Sequence, residues 1–163
     1  IRSRAMLENN PWLLENLYDT KSRYGKWAYE HEIKRVRHLK DWSEKQGVNF
    51  VSITPSIRIK YAREKGGGRL VNLMNTTEYR YVYENDRTTV NSFRIGTHHS
   101  IDINWRDDRW VITREWYTDP FADSLDTDGV KDGTIKEYIE MPLNTLTDIA
   151  GPPAARNTGS ATT

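Results

Sequence analysis

Two adjacent histidines, His98 and His99, are the first residues whose type suggests chemistry. They stand in an alternating run from Phe93 to Trp105 that reads as a β-strand. Neighbours on a strand point to opposite faces, so the pair does not chelate one metal ion. His99 shares its face with Ile95, Ile101 and Ile103 and reads as inward. There it is either a proton donor or base lining a pocket, or a core histidine bonded to a tyrosine hydroxyl. The inward rows add Tyr61, Tyr79, Tyr81 and Trp116, which with His99 form the candidate ligand-pocket set. Glu115 joins them only if a bulge reverses the fourth strand. Without that carboxylate the pocket is poor material for enolisation, although it suits an apolar or aromatic ligand.

Other constellations carry less. His98, Ser100 and Asp102 alternate on the outer face in an order that suggests a hydrolase triad. Residues two apart on a strand are spaced by about 7 Å, so no nucleophile–base contact is expected from them. Asp126-Thr127-Asp128-Gly129 suggests a calcium loop, but the twelfth position of that pattern is Ile135 instead of Glu. Asp119 and Asp123 stay open as ligands of a calcium site of another type. No metal site and no cofactor is expected otherwise. Lys34, Arg35, Arg37, His38 and Lys40 spread around a helix among acidic residues, which marks a solvated surface and not a nucleic-acid footprint.

The elements that would position these residues follow from periodicity. Asn10-Pro11 is a helix start, with Trp12, Leu13, Leu14, Leu17 and Tyr18 as its stripe. A longer helix runs from about Thr20 to Gln46 and stops at Gly47 in a left-handed cap. Its face of Tyr24, Trp27, Ala28, His31, Leu39 and Trp42 needs a broad partner, while Lys26–Glu30 and similar pairs line the solvent side. From Phe50 the period becomes two. Turns at Gly66-Gly67-Gly68, Asn85-Asp86 and Asp107-Asp108 divide four long strands. Strands in direct succession with one polar face predict an antiparallel meander covered by helices, bent at Pro55 and Gly96. The fold class is therefore α+β.

The bulk numbers agree with one domain. The chain has 163 residues, 36% of them hydrophobic, with six Trp and nine Tyr to enlarge the core. A net charge of +1 supplies no field toward nucleic acid or anionic lipid. Cysteine is absent, which removes disulfides, thiolate metal sites and thiol nucleophiles. No apolar run suffices to cross a bilayer, so membrane insertion is not expected. The opening Ile1-Arg2-Ser3-Arg4 reads as the start of a piece of a longer protein, and the Pro/Ala/Thr-rich end as linker.

Helices followed by a four-stranded meander that ends in His99 to Trp105 (HSIDINW) and Asp108 to Trp116 (DRWVITREW) resemble the NTF2-like superfamily. The resemblance implies a cystatin-like cone, a strongly curved sheet around amino-terminal helices, over residues 1–121, with 122–163 as a polar extension or linker. Arg109 to Phe121, followed by Ile135 to Ile139, resembles the region that precedes a papain-like amidase domain in Gram-positive bacterial proteins. That implies a non-catalytic accessory module, contacting other domains of its parent or a protein partner, and an exported or cell-envelope setting over a cytoplasmic one. A polar homodimer through Arg58, Lys60, Glu78, Arg80, Arg94 and His98 is a further expectation. The alternative is a small-molecule binding or lyase/isomerase domain centred on His99.

Overall fold

The computed structural model describes residues 1–117 and Asp119. Three helical segments come first: α1 (Arg2–Leu7), a 3-10 helix (Pro11–Leu17) and α2 (Arg23–Gln46). Four strands follow as β1 (Val48–Lys65), β2 (Gly68–Tyr83), β3 (Asp86–Arg106) and β4 (Arg109–Trp116). They form one antiparallel sheet in the order β1-β2-β3-β4, with helices packed against it.

Local chemistry explains the element ends. Asn10 caps the segment at Pro11 by accepting from the Trp12 amide at 3.2 Å, but the turn that follows is 3-10 and not α. Ser22 accepts from the Gly25 amide to start α2, and a Cβ at Gly25 would collide with the Asp19 carbonyl oxygen. At the other end Gly47 has φ of 62°, a conformation that costs an L side chain about 1–2 kcal/mol. The β1–β2 turn puts Gly66 and Gly67 at positive φ, and the β3–β4 turn does the same with Asp107 and Asp108. Positive φ at both central residues matches the twist of the flanking strands.

Pro55 sits on β1, an edge strand where a missing amide is tolerated. The register runs unbroken through Pro55 and Gly96, so neither position carries a bulge. Shifts occur instead between Phe50 and Ser52, Ile59 and Tyr61, Tyr81 and Tyr83, and Asp102 and Ile103. Each shift changes which residues face the helices, and two of them reshape the site.

The core has two parts. Leu14, Tyr18, Ala28, Val36, Leu39, Tyr79, Ile95 and Ile112 belong to the larger cluster, between the helices and the middle of the sheet. Trp42, Val48 and Tyr81 form the smaller one near the end of α2. The Phe50 and Phe93 rings join the two, with Phe93 stacked on Tyr79 at 4.7 Å. Among the described residues, no helix is long and apolar enough to cross a membrane.

Candidate functional site

A cavity of about 270 Å³ lies between the amino-terminal helices and the inner face of the sheet. Ile1, Arg2, Met6 and Leu17 line it from the helical side, together with Arg35 of α2. The sheet contributes Pro55, Ile57, Leu73, Ile95, Ile101 and Ile112, with Tyr79 and the polar side chains of Asn75, Thr77, Thr97 and His99. Asn75 stands directly opposite Thr97, and Leu73 opposite His99, so the polar row crosses from β2 to β3.

His99 is 2% exposed and held on both ring nitrogens. Its Nδ1 lies 2.7 Å from Glu115 Oε1, and its Nε2 2.6 Å from Thr97 Oγ1. Burial pushes the imidazole below its ordinary value and outweighs the opposing pull of Glu115. The Glu115 carboxyl is held at about 2: burial alone would raise it, but the Arg2 charge and the His99 hydrogen bond prevail. An ionised carboxylate only accepts, so Nδ1 carries the proton and donates, and Nε2 accepts from the Thr97 hydroxyl. The order Thr97, His99, Glu115 is that of nucleophile, base and orienting carboxylate.

Behind this row lies a network of charges. Arg2 pairs with Glu115 and donates to the Tyr18 hydroxyl at 2.6 and 3.0 Å. Arg35 reaches Glu32 at 3.2 Å and Asp119 at 3.1 Å. His31 meets Asp119 at 2.6 Å, and the Tyr117 hydroxyl donates to Glu32. Tyr117 also stacks on the His99 ring at 4.3 Å, which ties the two halves together. Buried charges need partners of this kind, because an ion left unpaired at such depth costs several kcal/mol. The Tyr79 hydroxyl beside Arg35 is pushed up to about 12, burial outweighing the attraction of the guanidinium.

The structure distributes the five candidate residues unevenly. Tyr79 and His99 line the cavity. Tyr81 is fully buried but packs in the smaller cluster, edge-on to Trp42 at 6.1 Å. Tyr61 is turned away: the shift after Ile59 pairs it with Asn72 on the outer face, and it is half exposed. Trp116 pairs with Ser100, on the face opposite to Glu115, and carries the Arg114 guanidinium at 4.6 Å. Conversely, the shift between Asp102 and Ile103 leaves Thr113 unpaired and swings Glu115 to the inner side, opposite Ile101. This is the reversal on which an inward carboxylate depended.

Further expectations need correction. His99 is bonded to Thr97 and Glu115 and not to a tyrosine hydroxyl, and its cross-strand neighbour is Leu73. Thr97 and His99 also overturn the distance argument against contacts between residues two apart, because their side chains lean together although the backbone positions do not. The outer-face trio still fails: His98 bonds Asn72, and Asp102 bonds Lys65 at 2.9 Å. Arg35, expected in the solvated run, is 6% exposed. Asp119 is engaged by Arg35 and His31, and no group of three His, Asp or Glu side chains among the described residues is arranged for a metal ion. Asp123, the Asp126–Gly129 loop and the 122–163 extension lie outside the described residues.

Sequence reasoning missed Thr97, Asn75 and Glu32. The parity of Asn75 and Thr97 with Tyr79 and His99 was the available signal, and for Glu32 the spacing of three to Arg35 on the apolar stripe.

No protein-family model matches the chain, and no curated protein matches it in sequence. Among solved structures, the intermembrane space region of the chloroplast protein ARC6 is similar with a TM-score of 0.46 at 14% identity. That similarity covers 71% of this chain and 84% of the other.

Proposed function

We propose that this chain is a non-catalytic, NTF2-like accessory module of a larger bacterial protein, and that it holds a small ligand in the cavity around His99. The cavity carries this reading. It has apolar walls and a few convergent polar groups, the usual make-up of a small-molecule site. The order of elements, helices before a meander, supports the NTF2-like cone as its frame. The parent protein, an amidase-like enzyme of the cell envelope, is supported by the run from Arg109 to Phe121. Binding is favoured over turnover because His99 has both nitrogens engaged, and Glu115 is already shared between His99 and Arg2.

Isoleucine methyl NMR of the whole chain during titration with 1-octanol tests the reading. Shifts are expected at Ile95, Ile101 and Ile112, which line the cavity, and not at Ile33 or Ile59, which do not. Unmoved cavity methyls would leave a module that acts through surface contacts alone.

A second reading, acid–base or lyase/isomerase chemistry at His99, is favoured by the ordered Thr97–His99–Glu115 contacts. It requires that bound substrate displace Thr97 from Nε2. Turnover of a proton-transfer substrate that His99→Ala abolishes would establish it over the first.

A further inference from the structure

We infer that the cavity selects a ligand with an anionic head, a carboxylate on a compact apolar body, seated against Arg2. This rests on the ligand-binding reading above and names the class of ligand.

The sign of the charge comes from what faces the space. Among the described residues, the ionised side chains lining the cavity are Arg2 and Arg35, both cations, while His99 beside them is held neutral by burial. The neighbouring carboxylates, Glu32, Glu115 and Asp119, do not line it; each is 8% exposed or less. Both guanidinium groups are already paired with these carboxylates, so the preference for an anion rests on the donor that Arg2 leaves open and not on a net positive field.

Arg2 has donor capacity to offer. It uses Nε and Nη2 on Tyr18 and Glu115. Its Nη1 makes no hydrogen bond or ion pair with the described residues, and the side chain keeps 21% of its exposure. Both forks of the guanidinium share Nη2, which is already spent, so Arg2 would meet a ligand carboxylate through Nη1 alone, in a single charge-assisted hydrogen bond. A neutral ligand would leave this donor against apolar surface. A cationic ligand would offer that donor no acceptor.

The body of the ligand follows from the walls and the size. Met6, Leu17, Ile57, Leu73 and Ile95 are apolar, and about 270 Å³ lies just below the usual range of ligand pockets. A short alkyl chain or a single ring fits, and a sterol does not.

Calorimetric titration of the whole chain with octanoate, 1-octanol and octylammonium at pH 7 and low salt tests the inference. These probes share a body and differ in the head. Octanoate is expected to bind at least about tenfold more tightly than octanol, as a charge-assisted contact implies. Octylammonium is expected to bind most weakly. Arg2→Met should erase the preference for octanoate while octanol still binds. Arg2 also pairs with Glu115, so if that variant fails to fold, the ranking on the unaltered protein decides alone. Octanol binding as well as octanoate would overturn the anionic head and leave the ligand site standing. Absence of binding by all three, with unmoved cavity methyls, would overturn both.

Discussion

Replacing Glu115 by Gln removes one charge from the centre of the network and almost no volume. The native carboxyl titrates at about 2, against an ordinary 4.5, and it is fully buried. A lowered carboxyl contributes stability that is present above its unfolded midpoint and lost as pH falls through the folded one. At pH 7 the contribution amounts to about 3 kcal/mol, at 1.36 kcal/mol per tenfold change in proton affinity. That agrees with the roughly 3–5 kcal/mol lost when one partner of a buried ion pair is removed. Urea unfolding followed by tryptophan fluorescence, at pH steps from 7 to 2.5, measures both proteins. The difference between native protein and Glu115→Gln should be about 3 kcal/mol at pH 7 and should shrink below pH 5. Near pH 3 it should be roughly half or less, because the native carboxyl is then losing its advantage. A difference that stays constant down to pH 3 would refute the ionic reasoning and place the loss in packing.

Four further outcomes are expected. Leu39→Ala, at a site 1% exposed in the larger core, should cost about 2–5 kcal/mol in the same assay. Gly47→Ala should cost about 1–2 kcal/mol through the left-handed backbone, with no change in the structure of the cavity. Thr97→Val removes the hydroxyl donor to His99 and should cost about 1 kcal/mol, with the Nε2 resonance of His99 shifted in NMR spectra. Trp12, 72% exposed, is the control: Trp12→Ser should change stability by no more than about 0.5 kcal/mol.

The sequence carried the frame of this fold because its signals there are local. Gly47 ends α2, paired positive-φ residues make two of the hairpin turns, and alternation marks all four strands. The site was harder to read because it depends on register, which no short window contains. One unpaired residue, Thr113, decides that Glu115 rather than its neighbours faces His99. The shift after Ile59 removes Tyr61 from the site by the same arithmetic. Glu32 and Arg35 escaped for another reason: a charged residue on an apolar helix face reads as noise until its partners, Tyr117 and Asp119, arrive from beyond the last strand. The short helix Arg2–Leu7 was also invisible, since six residues carry too few turns for a periodic stripe. Yet Arg2 lies on it, and Arg2 supplies the ion pair on which the buried carboxylate depends.

The most direct test of the central claim, that the cavity is a ligand site, is a crystal structure with 8-bromooctanoate, read for anomalous bromine density. Bromine inside the space bounded by Leu17, Leu73 and Ile95, with the carboxylate toward Arg2, is the expected result. An interior closed by side chains, with bromine only on the outer surface, would contradict it.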